Sequence, residues 1–182
     1  MYNVSGFARV RSKRYEERNL EVDCADSDID SDSHYNNTDN NIMRKITLII
    51  VHCSAYRPDQ TSSADEIDRD HRKRGWKFGI GYHYVVRRNG SIEPGRPEWM
   101  VGAHCVGHNA HSIGICYEGG LDIRGRPADT RTEAQRCSLR KLIEQLHAAY
   151  PKALIVGHRD LNPMKDCPCF DAVAEYSQLN GK

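Results

Sequence analysis

Short apolar runs rich in β-branched residues alternate with two segments that open on capping boxes. This alternation limits the fold more than any other feature of the chain. Ile46-Thr47-Leu48-Ile49-Ile50-Val51-His52 reads as a buried strand. Ser63-Ala64-Asp65-Glu66 sets a helix-capping serine three residues ahead of a glutamate, which predicts a polar helix to about Arg74. Tyr82 to Arg88 reads as a strand, and Asn89-Gly90 turns it into Ser91-Ile92-Glu93 as a hairpin. Ser112 to Tyr117 is another strand, ended by Gly119-Gly120. Thr132-Glu133-Ala134-Gln135 is the second capping box, and Leu139, Leu142, Ile143, Leu146 and Tyr150 follow at helical spacing. Ala153 to Val156 is a short strand, and a last helix is expected from about Phe170 to Gln178. The mixture predicts an α/β domain: a mixed central β-sheet flanked by helices.

That order starts only after residue 42. Residues 1–42 hold 5 Lys+Arg against 9 Asp+Glu, a net −4, which leaves a net +5 on residues 43–182. The stretch from Asp23 to Asn41 is mostly Asp, Ser and Asn, and cannot bury enough apolar surface to offset its ordering entropy. Residues 1–42 are therefore expected to be a disordered acidic N-terminal tail, with an acidic docking arm as the alternative. Met43-Arg44-Lys45, directly ahead of a strand, is a natural start for a folded domain over 43–182.

Composition excludes several classes. A net charge of +1 gives no reason to expect a nucleic-acid partner. No run approaches the ~18 apolar residues of a membrane span. The seven cysteines are odd in number and lack framework spacing, which fits reduced thiols with a metal ligand among them.

Metal-capable side chains fall at strand ends. His52 closes the first strand, His158 follows Ile155-Val156-Gly157, and Cys167 lies nine residues on in Lys165-Asp166-Cys167-Pro168. Two imidazoles and a thiolate are donors that zinc accepts, and three protein ligands leave a fourth position open, as catalytic zinc requires. The spacing alone is weak, since nine histidines make chance proximity to cysteine common. His52 also reads as a core histidine and Cys167 as a small buried hydrophobe. His52-Cys53 as a nucleophile pair is disfavoured, because adjacent strand residues face opposite ways. Copper is disfavoured too, because His52 lies far in sequence from Met164.

The blocks Val51-His52-Cys53-Ser54-Ala55, Gly81-Tyr82-His83-Tyr84, Gly95-Arg96 and Val101-Gly102-Ala103-His104 form the first half of a longer series. It continues with Gly107-His108-Asn109, Ser112-Ile113-Gly114-Ile115-Cys116, Gly157-His158 and Lys165-Asp166-Cys167-Pro168. In order and spacing this resembles the zinc-dependent N-acetylmuramoyl-L-alanine amidases of the bacteriophage T7 lysozyme type, relatives of the peptidoglycan recognition proteins. The resemblance covers about 44–178. It implies zinc as cofactor, held by His52, His158 and Cys167, with Tyr82 and Lys165 as catalytic residues. It implies peptidoglycan as substrate, cut at the amide between N-acetylmuramic acid and L-alanine. His104, Asn109 and Ser112 are candidate substrate contacts, against a plainer reading in which Asn109 closes a tight turn. His83 is expected to point away from the site, and His71, His111 and His147 to be ordinary surface or helix histidines.

Two other roles compete. Relatives that only bind peptidoglycan commonly lack the cysteine ligand, so Cys167 favours catalysis. The phage relative also binds its RNA polymerase, but no motif here carries a protein partner over. The N-terminus lacks the apolar stretch of a secretory signal. The expectation is synthesis in the cytoplasm and action on the cell wall, after release of the phage type.

Overall fold

The computed structural model describes residues 44–181, and the tail expected over 1–42 lies outside the described residues. Five strands form one sheet in the order β3-β2-β4-β1-β5. They are β1 (Leu48–Cys53), β2 (Tyr84–Val86), β3 (Ile92–Pro94), β4 (Ser112–Tyr117) and β5 (Leu154–Gly157). β1 pairs in parallel with β4 and β5, and β2 in parallel with β4. Only β3, the far arm of the Asn89-Gly90 hairpin, runs antiparallel, so the sheet is mixed as expected.

Side-chain alternation splits the sheet into two unlike faces. Ile49, Val51 and Cys53 of β1 join Ile113, Ile115 and Tyr117 of β4 in the main core. Helix α2 (Glu133–Ala149) covers this face with Leu139, Leu142, Ile143 and Leu146. Each such buried side chain contributes roughly 1.5–3 kcal/mol. Both α2 capping bonds form, from Gln135 N to Thr132 Oγ1 (3.1 Å) and from Thr132 N to Gln135 Oε1 (3.0 Å). Gln135 then spends its amide donors on Val86 O and Glu118 O, tying the helix start to the ends of β2 and β4. The opposite face carries a small apolar cluster of Ile67, Ile80, Val85 and Cys116. Ile67 comes from α1 (Ala64–Lys73), whose Ser63–Glu66 capping box is also complete.

Two boundaries differ from the sequence expectation. Tyr82 and His83 lie outside the regular β2 ladder, although Arg96 N and Gly95 N bond their carbonyls. The last helix divides into α4 (Ala172–Glu175) and α5 (Ser177–Asn180), after a single-turn α3 (His158–Leu161). The break falls at Tyr176, whose ring is buried in the core and whose ψ of 19° leaves the helical range. Asn180 then pairs with β5, accepting from Ile155 N at 2.7 Å and donating to Ile155 O at 2.9 Å.

The segment from Gly95 to His108 has no helix or strand, and two guanidinium groups, that of buried Arg96 and that of half-buried Arg44, organise it. Arg96 donates to Ile80 O, Val101 O and Gly79 O. Arg44 donates to the carbonyls of Glu98, Met100, Asn109 and Ser112 at 2.6–2.8 Å. Irregular backbone can be buried only if its polar groups are paired, and these two side chains do much of that pairing.

Candidate active site

His52 is the last site-facing residue of β1, and its side chain projects from the face opposite α2. The parallel register Val51↔Gly157 places the following residues, His52 and His158, side by side, with ring centroids 4.6 Å apart. Cys167 arrives on the loop after α3. Arg159 N donates to Cys167 O at 2.7 Å, and Cys53 N donates to Cys167 Sγ at 3.3 Å. One ligand atom from each of His52, His158 and Cys167 lies within 4.8 Å of the others, a cluster that could hold a metal ion.

The donor geometry suits zinc. With Zn–N near 2.05 Å, Zn–S near 2.3 Å and tetrahedral angles, the N···S separation is about 3.6 Å. His52 Nδ1 lies 3.7 Å from Cys167 Sγ. His52 is 1% exposed, and its pKa is held well below the usual histidine value by burial first, then by His104 and His158. The His158 pKa is lowered by burial and by the charge of Lys165. Both rings therefore favour the neutral form that a metal ligand needs.

Behind His52 stands His104, with Nδ1 3.0 Å from His52 Nε2. Ligation through His52 Nδ1 leaves the proton on Nε2, which then donates to His104 Nδ1. His104 Nε2 in turn faces Ser112 Oγ at 3.4 Å, and Ser112 Oγ donates to His108 O at 2.8 Å. Each group in this chain has a donor or acceptor role consistent with the next. Two glycines make room for it: a Cβ on Gly102 or Gly114 would lie 2.5 Å from His104 Cδ2.

The three side chains expected to touch substrate are thus engaged within the protein. His104 and Ser112 are buried. Asn109 Oδ1 accepts from His104 N and Cys105 N, both at 2.8 Å, the turn-closing arrangement. Two further histidines are tied down by backbone bonds, His71 within α1 and His83 beside His104. His71 is buried, accepts from Gly81 N at 3.1 Å and packs on Trp76 with centroids 4.3 Å apart. His83 accepts from Gly114 N at 2.9 Å and sits behind His104, 5.6 Å ring to ring. Arg44 gave no signal in the sequence, because a lone arginine ahead of a strand looks like any surface charge.

Tyr82 is half-buried, with its ring 5.2 Å from that of His52. Burial, then the nearby thiols, pushes its pKa well up, so the phenol keeps its proton. Lys165 is exposed, and its backbone N donates to Asn162 O at 3.0 Å.

A sequence profile of the N-acetylmuramoyl-L-alanine amidase family matches residues 42–170. The chain belongs to this family. It is 43% identical to the endolysin of Escherichia phage T7 over 123 residues, 68% of this chain and 80% of that protein. The N-acetylmuramoyl-L-alanine amidase LysC from Clostridium intestinale superposes with a TM-score of 0.63 at 32% identity, over 76% of this chain and 87% of that one. The Drosophila protein PGRP-LB shares the fold, with a TM-score of 0.60 at 24% identity over 74% and 82% of the two chains. The amidase is therefore a peptidoglycan hydrolase of the endolysin type. Among the described residues no helix is long and apolar enough to cross a membrane.

Proposed function

We propose that this amidase is zinc-dependent, with His52, His158 and Cys167 as the ligands and Tyr82 and Lys165 as the catalytic side chains. The convergence of three ligand atoms within 4.8 Å carries this reading. When bound, zinc supplies a Lewis acid for the scissile carbonyl and acidifies the attacking water. The protein's own groups do the rest. Lys165 brings a positive charge whose influence reaches His158, and it stabilises the oxyanion that develops as the amide carbon becomes tetrahedral. Tyr82 holds a proton at Oη beside the ligand rings, where it donates to the reacting oxygen or to the departing amine of L-alanine. His104 and Ser112 orient His52 rather than bind the glycopeptide. As in phage lysis, the enzyme acts on the wall after release from the cytoplasm.

The test is incubation of zinc-loaded protein with purified peptidoglycan, followed by mass analysis of the products. Stem peptides with a free L-alanine amino terminus, lost on chelation and restored by zinc, are expected. Lys165→Ala should keep its zinc while turnover drops on the order of 100–1,000-fold, the usual effect of removing one oxyanion-stabilising donor. Full turnover after exhaustive chelation refutes the metal assignment. Near-normal turnover in Lys165→Ala removes that lysine from the mechanism.

A further inference from the structure

Beside the ligand cluster lie two thiols that the hydrolytic reaction does not use. Cys53 ends β1 and faces the α2 side, opposite to His52. Cys169 follows Cys167 by two residues. Their sulfurs are 3.8 Å apart, across 116 positions of sequence. Both are held in place. A Cβ on Gly120 would come within 2.4 Å of Cys53 Sγ, and Cys169 Sγ donates to Gly120 O at 3.2 Å. Cys169 N donates to Asp166 O at 2.7 Å. Cys169 also has φ of +68°, a left-handed conformation that favours glycine or asparagine over a residue with this side chain.

We infer that Cys53 and Cys169 form a disulfide under oxidising conditions, and that this bond staples the Cys167 loop to β1. Forming a bond of about 2.05 Å brings the sulfurs together by roughly 1.8 Å, about 0.9 Å each, which side-chain rotation supplies. The oxidant is a small or protein disulfide. Cys169, the more accessible of the two, attacks one of its sulfurs, forms a mixed disulfide and releases one thiol. Cys53 then attacks the Cys169 sulfur and releases the second thiol, and the two protons leave on the two thiols. Cys53 is 6% exposed, so the closed bond is shielded on that side from outside thiols, which suits a lasting staple. The reaction leaves Cys167 free to ligate, so the oxidised enzyme keeps its metal site. Its loop is then tied covalently to the strand that carries His52.

The experiment uses full-length, zinc-loaded protein equilibrated with oxidised or reduced glutathione. Peptide mapping without reduction should show a Cys53–Cys169 crosslink that dithiothreitol reverses. The Tm of the oxidised protein should rise by roughly 6–12 °C, the range expected for a disulfide closing a long loop in a domain of this size. Zinc loss to excess EDTA should slow in parallel. Cys169→Ser should match the wild type in Tm and zinc retention when reduced, and should lose the oxidation-dependent part of both effects. A crosslink through Cys167 with loss of zinc, absence of the Cys53–Cys169 peptide, or the same Tm rise in Cys169→Ser overturns the inference. These readouts do not depend on hydrolysis, so they are separate from the test of the catalytic proposal.

Discussion

Replacing His104 by alanine removes the acceptor that faces His52 Nε2 at 3.0 Å. The effect should fall on metal binding rather than on the fold. In the metal-bound protein the Nε2 proton of His52 would have no partner, inside a residue that is 1% exposed. An unpaired buried donor costs about 1–3 kcal/mol. The metal-free protein avoids this by moving the proton to Nδ1, which closes the ligand position. The whole penalty therefore appears in the zinc Kd, as a weakening of about 5–150-fold. Measured losses for supporting partners of metal-bound histidines, about 10–100-fold, fall within this range.

Competition against a chromogenic chelator measures the affinity directly, with circular dichroism as the check on folding. His104→Asn keeps an acceptor oxygen near the position of Nδ1 and should recover part of the loss. Gly114→Ala should weaken zinc in the same direction without deleting the ring, because its new Cβ lies 2.5 Å from His104 Cδ2 and displaces it. A folded His104→Ala protein with zinc affinity within about twofold of the parent, below the 10–100-fold range for such partners, would refute the orientation argument. If Asn and Ala are equally weak, the deficit belongs to lost packing.

Three further outcomes are expected. Under reducing conditions, Cys167→Ser should lower zinc affinity by more than the roughly 10–100-fold of a lost supporting bond. Elemental analysis checks it, with Cys169→Ser as the loop control. Deletion of residues 1–42 should leave fold and hydrolysis intact, whereas a deletion that also removes Arg44 should unfold the loop after β3, because four partly buried carbonyls lose their donor. Thermal melts and wall-lysis assays distinguish the two truncations. Metal-free protein should lose stability as pH falls from 6.5 to 5. His83 and His104 are depressed by burial to about 4 and about 3, so the unfolded chain takes up protons first, at up to about 1.4 kcal/mol per pH unit for each. Glu118 and Asp129 have pKa values below the usual carboxylate range and act lower still. A denaturation midpoint that stays flat over that range contradicts the reading.

How much of this was legible in the sequence follows from the range of the interactions. Capping boxes are local, so Ser63–Glu66 and Thr132–Gln135 announced both long helices. Strand alternation is local too, and it separated His52 from Cys53 correctly. The candidate ligand cluster needed more, because His52, His158 and Cys167 meet only through the β1–β5 register and a loop, and the family blocks supplied that link. The contacts of His104 and Arg44 span long separations. His104 meets His52 from 52 positions away, and Arg44 meets Ser112 from 68. Neither distance leaves a periodicity or a spacing to read.

The three proposed ligands are not held equally firmly. His52 sits in a central strand, where a one-residue slip would turn it into the α2 core and bring Cys53 to the site, so its position is fixed by the whole apolar face. His158 follows directly from β5 and inherits the same register. Cys167 has no ladder to hold it. Its loop is fixed by the bond from Arg159 N, by packing of Pro168 against Gly157, and by Tyr117, whose hydroxyl donates to Pro168 O at 2.6 Å. Tyr117 is a fully buried core residue of β4, so this one bond carries the rigidity of the core to the ligand loop. The arrangement explains why thiol chemistry at Cys169, one residue beyond that bond, would act on the least constrained of the three ligands.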